Sequence, residues 1–135
     1  MARSIEREHA FIMIFEQMFR PDLTLDEIAE LAADAEVFEA EPFAVSLAAT
    51  VDEHRDEADA LIAPRLRNWT IDRLAAETLA VLRLGVCEMF FAGGVTPVSV
   101  CINECVELAK TYCPAKDAGF VNGVLGAIAR ESDGS

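Results

Sequence analysis

Apolar residues recur every three or four positions along most of the chain, and charged residues fill many of the positions between them. Within residues 102–110, for example, Ile102, Cys105 and Ala109 are apolar, whereas Glu107 is charged. This spacing has the 3.6-residue period of an α-helix. No stretch shows the strict alternation of a half-buried strand, so the pattern predicts an all-α protein. We expect six or seven helices, over about 4–19, 25–32, 42–54, 57–67, 71–92, 97–112 and 117–130.

Capping and breaking residues mark several of the expected helix ends. Thr24 and Glu27 have the spacing of a capping box, in which each side chain bonds the other residue's backbone amide. Thr70 can cap the helix that follows it. Pro64 lies inside a helical pattern and predicts a kink or a restart there. The long helix over 71–92 is expected to be the most buried element, with a bend near Ala75.

The composition is that of one globular domain. The chain has 135 residues, of which 53 % are hydrophobic, and this is enough to bury a real core. No run of eighteen apolar residues is present to span a membrane, and the N-terminus has no signal-peptide pattern. We therefore expect a soluble, cytoplasmic protein.

Residues that carry catalytic or metal chemistry do not cluster in the sequence. The four cysteines include no Cys-x-x-Cys pair and have no histidine nearby, so we expect small buried hydrophobic side chains and no metal. Gly93 and Gly94 lack the Lys-Ser/Thr of a phosphate-binding loop. No serine or cysteine has a convincing histidine partner. The sequence predicts a protein that is not an enzyme and holds no cofactor.

The net charge of −13 argues against binding to nucleic acid, because such a chain repels phosphate on average. The charge is unevenly distributed. Thirteen acidic residues but only one basic residue, Arg55, lie between Asp22 and Asp59. An acidic lobe of this kind can coexist with a weakly basic face elsewhere or attract a basic protein.

Two asparagines stand out among the helical residues. Asn103 and Asn122 are unusual in helix interiors, because asparagine competes for backbone hydrogen bonds. Gly123 follows the second of them among packing residues. Either the two amides form a specific contact, or they bond to neighbouring backbone in two ordinary amphipathic helices.

The sequence segments that contain these asparagines resemble the C-terminal signature of the NusB family of bacterial transcription antitermination factors. Cys105 stands where the family has alanine, and Gly119 stands where it has lysine. The resemblance implies two packed helical subdomains in one compact domain over 1–131, with a polar tail over 132–135. Similar segments are Ile102–Lys110, Phe120–Leu125, Trp69–Leu74, Val81–Met89 and Val95–Val100.

The resemblance also implies a function. Family members bind a short single-stranded RNA element, boxA, together with NusE, a small-subunit ribosomal protein. The complex modifies RNA polymerase so that it reads through terminators, notably in ribosomal RNA operons. Such binding needs basic side chains for phosphates and aromatic faces for unstacked bases.

The family's RNA-binding positions carry over only in part. Two arginines remain in the family's arginine-rich start of the first helix, but Ile5, Glu6 and Gly119 replace other expected positions. The alternative for the two arginines is an ordinary surface role, paired with Glu6 or Glu8. The alternative for the two phenylalanines is a place in the core. The resemblance, together with the charge that Lys116 adds in the loop before the last helix, gives six candidate RNA-binding residues: Arg3, Arg7, Phe15, Lys110, Lys116 and Phe120.

Three other interpretations remain open. The chain could be a diverged relative that kept the fold and a protein contact but binds RNA weakly or not at all. It could be the RNA-binding module of a ribosomal RNA cytosine methyltransferase, although the starting Met and the polar tail argue against a fragment. A homodimer is also open, in which the apolar first helix buries its spare face through Phe11, Met18 and Phe19.

Overall fold

The computed structural model describes residues 3–67 and 69–134, and six α-helices account for most of them. The described residues contain no strand, and the predicted all-α fold is confirmed. Two short 3-10 turns, Ala63–Arg65 and Ile71–Arg73, lie between the third and fourth helices. The helices are α1 (Ser4–Phe19), α2 (Leu25–Asp34), α3 (Pro42–Ile62), α4 (Ala76–Phe90), α5 (Val98–Tyr112) and α6 (Asp117–Gly134).

The predicted break between the third and fourth helical segments is present as a kink within α3. Residues 52–59 contain neither proline nor glycine, and the chain resumes the helix after the kink and continues it to Ile62. The helix bends at His54, whose φ of −109° and ψ of 21° leave the helical region. The His54 ring stacks on Phe91 with 4.5 Å between the centroids, so the kink packs against the chain just after α4. Pro64 falls in the 3-10 turn that follows α3.

The predicted long helix over 71–92 is divided in two. Leu74 and Ala75 have extended backbone, so the expected bend near Ala75 is a complete break between the 3-10 turn and α4. Thr70 makes no capping hydrogen bond to the turn that follows, and that expectation is also wrong. Hydrogen bonding to the Thr70 side chain holds the pKa of the Asp72 carboxyl below its usual range.

The capping box at the start of α2 is confirmed. The hydroxyl of Thr24 accepts a bond of 3.1 Å from the backbone amide of Glu27. The Glu27 carboxylate accepts a bond of 2.9 Å from the Thr24 amide. At the other end of the chain, α6 continues to Gly134, beyond its predicted end near Arg130, and Ser135 lies outside the described residues.

Helix α4 is the centre of the molecule. It is buried on nearly all sides and packs against α1 and α3 on one side and against α5 and α6 on the other. Burying each of its leucine or valine side chains stabilises the fold by about 1.5–3 kcal/mol. The helix that the sequence predicts to be most buried therefore contacts both the N-terminal helices α1 and α3 and the C-terminal helices α5 and α6.

Gly85 allows α4, α5 and α6 to approach one another closely. A Cβ atom at this position would lie 2.8 Å from a methyl carbon of Leu125 and 3.0 Å from the sulfur of Cys105. Both neighbours are fully buried, so neither can move away easily. In the described part of the chain, no helix is long and apolar enough to cross a membrane.

Candidate nucleic-acid interface

Arg7, which the sequence places on the surface of α1, is 1 % exposed. Its guanidinium donates two hydrogen bonds to the carboxylate of Glu88 on α4, of 2.7 Å from Nε and 2.6 Å from Nη2. A third contact of 3.4 Å joins Nη1 to Glu104 on α5. Burial disfavours the charged guanidinium, but the hydrogen bonds and charge of Glu88 more than offset this and raise the pKa of Arg7.

The expectation of a surface Arg7, paired with Glu6 or Glu8, is therefore wrong. The sequence could not show its true partners, because Glu88 and Glu104 are 81 and 97 residues away along the chain. The buried ion pair ties α1 to α4 and α5. Its charge is already neutralised, so an RNA contact through Arg7 would require it to leave Glu88.

Arg3 is exposed and precedes α1 in a left-handed conformation, with a φ of 58°. Its guanidinium carbon lies 4.5 Å from the centroid of the Phe43 ring, and that of Arg7 lies 5.5 Å from the same ring. These distances are within the range of cation–π attraction. Arg3 therefore covers the buried ion pair and packs on α3.

Phe15 and Lys110 lie apart from each other on α1 and α5. Phe15 is half-buried in an aromatic row, with ring centroids 5.8 Å from Phe11 and 5.1 Å from Phe19. Lys110 is exposed, and its ammonium lies 2.9 Å from the carboxylate of Glu107. RNA contact by either residue stays a prediction.

Lys116 and Phe120 are brought together with two residues that the sequence did not single out. They line one groove with Trp69 and Arg73, at the start of α6 and beside the 3-10 turn before α4. Trp69 is 54 % exposed, and Phe120 is half-buried. We call this surface the lysine groove. It joins two aromatic faces to two positive charges.

One acidic side chain, Asp117, also lines the lysine groove. Its carboxylate accepts a hydrogen bond of 2.8 Å from the hydroxyl of Thr78, which is buried on α4. It lies in the first turn of α6, where the helix dipole favours a negative charge. Asp117 thus has a structural role in starting α6.

Several cations elsewhere on the chain are paired with carboxylates, including Arg7. By contrast, among the described residues, no carboxylate oxygen lies within 4.0 Å of the side-chain nitrogens of Arg73 or Lys116. In a chain with 24 acidic and 11 basic residues, two such cations that line one groove form a local positive patch. The other arginine and lysine pairs among the described residues are Arg20–Asp22, Arg55–Asp52, Arg65–Glu131, Arg83–Asp59 and Lys110–Glu107.

A local signal for this groove was present in the sequence. Residues 60–75 contain three arginines and a tryptophan but only one acidic residue, Asp72. This composition contrasts with the acidic stretch just before it. Only the fold shows that the segment lies beside Lys116 and Phe120, which are more than forty positions further along the chain.

Asn103 and Asn122 are both exposed and line the same cleft between α5 and α6. In the part of the chain that the structure describes, neither side chain has a hydrogen-bond partner. The alternative in which they bond neighbouring backbone is therefore wrong. They present two amides to solvent on the C-terminal helices.

Three of the four cysteines are buried, Cys87 on α4 and Cys101 and Cys105 on α5. Burial raises the pKa of the Cys87 and Cys101 thiols to about 12, and it raises that of Cys105 as well. Burial and the hydrogen bond from its hydroxyl to Glu8 likewise raise the pKa of Tyr112 to about 12. These thiols are protonated at neutral pH and behave as packing groups.

The fold and its surface define an all-α protein in which a basic, aromatic-lined groove lies against the C-terminal helices. The model of the NusB family matches residues 4–130. The chain therefore belongs to the NusB family, as the sequence resemblance predicts.

Relatives match along nearly the whole chain. The transcription antitermination protein NusB of Bacillus subtilis (strain 168) is 41 % identical over 128 residues, which cover 95 % of each chain. The solved structure of T. maritima NusB has a TM-score of 0.81 at 31 % identity, over 96 % of this chain and 91 % of that one. A chain in the crystal structure of the antitermination factors NusB and NusE in complex with dsRNA has a TM-score of 0.83 at 28 % identity, over 96 % of this chain and 97 % of that one.

Proposed function

We propose that this chain is a transcription antitermination factor that binds boxA-type RNA together with NusE. In this role it modifies RNA polymerase for read-through, notably of ribosomal RNA operons. The observation that carries the proposal is the match of nearly the whole chain to a structure that contains NusB, NusE and RNA. The chain acts by binding, in the cytoplasm, and needs no catalytic step.

The lysine groove is the proposed RNA contact on this chain. Lys116 and Arg73 have no carboxylate partner among the described residues and are free to neutralise phosphates. Trp69 and Phe120 present aromatic faces on which unstacked bases can stack. Each such stack contributes about 1–3 kcal/mol to binding.

NusE is proposed to supply what this chain lacks. A protein with a net charge of −13 repels an RNA backbone at long range, and one groove offsets only part of that repulsion. Losing the family lysine at Gly119 removes a further phosphate contact. We therefore expect weak RNA binding by the isolated chain and strong binding by the complex with NusE.

The proposal is tested with fluorescent boxA RNA, titrated by anisotropy with this chain alone and with the matching NusE, at two salt concentrations. We expect the affinity to rise with NusE and to fall steeply with salt. Tight binding by the isolated chain would contradict the dependence on NusE. RNA binding that is absent with and without NusE would contradict the RNA role.

A second candidate, a relative that binds protein but not RNA, is favoured by one specific observation. Arg7, which the family resemblance offers as an RNA contact, is neutralised by Glu88 in the core. The same titration separates the two functions when NusE capture is measured in parallel. Capture of NusE without any RNA binding would favour the second candidate.

A further inference from the structure

A second groove adjoins the lysine groove and shares its two aromatic residues. It lies between the 3-10 turn after α3 and the outer face of α6, with Trp69 and Phe120 on the shared side. Its basic lining consists of Arg65, Arg67 and Arg130. We call this surface the arginine groove.

The cations of the arginine groove are largely uncompensated. Arg65 pairs with Glu131, but its buried Nε has no hydrogen-bond acceptor among the described residues. Within the same residues, no carboxylate oxygen lies within 4.0 Å of the side-chain nitrogens of Arg67 or Arg130. Among the described residues, no carboxylate fully neutralises the positive charge that lines this groove.

The backbone of Arg67 is constrained as well. Its φ of 46° lies in the left-handed region, which costs free energy for a residue with a side chain. Such conformations persist where the surrounding structure enforces them, and they cluster at binding sites. Here the conformation belongs to an exposed arginine that lines the groove.

Gly123 leaves the groove open along α6. A Cβ atom at this position would have no heavy atom within 4 Å apart from its own helix and chain neighbours. A longer side chain here would occupy the groove without disturbing the core. Ala127, the next lining residue along the same helix face, is also small.

We propose that the arginine groove binds the backbone of RNA that flanks the segment held in the lysine groove. The strand passes over Trp69 and Phe120, and Arg67 and Arg130 contact its phosphates. This inference rests on the proposed function, because it extends the same RNA beyond the first groove. Charge complementarity selects a polyanion, and the aromatic residues shared by both grooves select single-stranded nucleic acid.

The test compares two RNAs on the complex with NusE: boxA alone, and boxA with six additional nucleotides on each side. The variant is Arg67→Gln/Arg130→Gln. The control, Arg20→Gln/Arg55→Gln, removes the same charge from exposed arginines that pair with Asp22 and Asp52. A second variant, Gly123→Leu, obstructs the groove without changing charge, and Ala49→Leu on the exposed face of α3 is its control.

We expect the flanking nucleotides to strengthen binding to the wild-type complex. Arg67→Gln/Arg130→Gln removes that gain, on the order of tenfold in Kd, and lowers the salt slope for the longer RNA by about 1.4, the value for two lost phosphate contacts on a single strand. Gly123→Leu also removes the gain. The two controls keep it.

Three results would overturn the inference while leaving the proposed function intact. The first is that the flanking nucleotides do not raise the RNA affinity of the wild-type complex. The second is that the groove variants have the same RNA affinity as their controls. The third is that Arg67→Gln/Arg130→Gln loses NusE capture and keeps its RNA affinity. The last result would mark the groove as a protein contact. If the wild-type complex binds neither RNA, the proposed function fails and the inference fails with it.

Discussion

Basic and aromatic residues meet both at the start of α1 and in the lysine groove, with opposite outcomes. At the start of α1, Arg7 and Arg3 lie over the ring of Phe43, and Arg7 is buried against Glu88. In the lysine groove, Lys116 lies beside exposed Trp69 in solvent. The same side-chain chemistry stabilises the fold in one place and leaves charge available for a ligand in the other.

The position of the carboxylates decides between these outcomes. Glu88 on α4 is 2 % exposed and reaches Arg7 because α1 packs directly on α4. A buried pair of this kind holds its geometry firmly, because separating the charges leaves one of them unsatisfied. In the groove, Asp117 bonds Thr78 and leaves the nearby cations unpaired.

The largest effect is expected from breaking the buried pair. Arg7→Met leaves the Glu88 carboxylate buried without its partner and should lower the free energy of unfolding by about 3–5 kcal/mol. Urea denaturation measures this loss. Arg7→Met/Glu88→Leu, which removes both charges, should recover most of the stability. A stable Arg7→Met protein that loses only RNA affinity would make Arg7 an RNA contact after all.

The next effect concerns the aromatic faces of the lysine groove. Phe120→Ala and Trp69→Ala should each weaken RNA binding to the NusE complex by about 1–3 kcal/mol, or roughly five- to 150-fold in Kd. Phe19→Ala, which removes an exposed ring on α1, is the matched control and should leave the Kd unchanged. Equal losses in all three variants would remove the distinction between the groove and α1.

A smaller effect, on the free energy of unfolding, is expected from substituting a closely packed glycine and a glycine that faces open space. Gly85→Ala places a methyl group against Leu125 and Cys105, and this overpacking should outweigh the gain in helix propensity by about 1 kcal/mol. Gly123→Ala meets open space and should raise the free energy of unfolding by about 0.5–1 kcal/mol. Thermal unfolding of both variants gives the signs. A stabilised Gly85→Ala protein would contradict the close packing of α4.

The smallest effect is expected on the salt dependence of RNA binding, and it should differ between two lysines. Lys116→Gln should lower the slope of log K against log salt by about 0.7, the value for one phosphate contact on a single strand. Lys110→Gln removes the same charge from a residue paired with Glu107 and should leave the slope close to that of the wild type. Anisotropy at several salt concentrations measures both slopes. A larger change for Lys110→Gln would move the RNA contact to the end of α5.

The helices were predictable where local chemistry determines them. The spacing of Thr24 and Glu27 predicts the start of α2, and the capping box is present. The break at Leu74 and Ala75 was foreseen only as a bend, because no proline or glycine marks it. Apolar spacing also predicts a division of the chain near His54, and the structure has a kink there within α3.

The site was less predictable than the fold, because pairing across the chain decides which charges are free. A carboxylate lies next to both Arg7 and Arg73 in the sequence, so neighbouring charges do not show which arginine is paired in the fold. One meets a buried carboxylate 81 residues away, and the other faces a groove. The family resemblance identifies Phe120, and the charge of Lys116 in the preceding loop identifies that residue. The resemblance also covers Trp69 and Arg73, but only the fold places them beside these two residues.

The most direct test of this contrast is the anisotropy of boxA RNA on the NusE complex with Arg73→Gln/Lys116→Gln beside Arg3→Gln. Arg3 is exposed and belongs to the α1 site, and it was also predicted to bind RNA. If the lysine groove is the RNA surface, the double variant loses affinity and salt dependence, and Arg3→Gln stays close to the wild type. Loss of binding in Arg3→Gln, with an unchanged double variant, would place the RNA at the start of α1 and contradict the account.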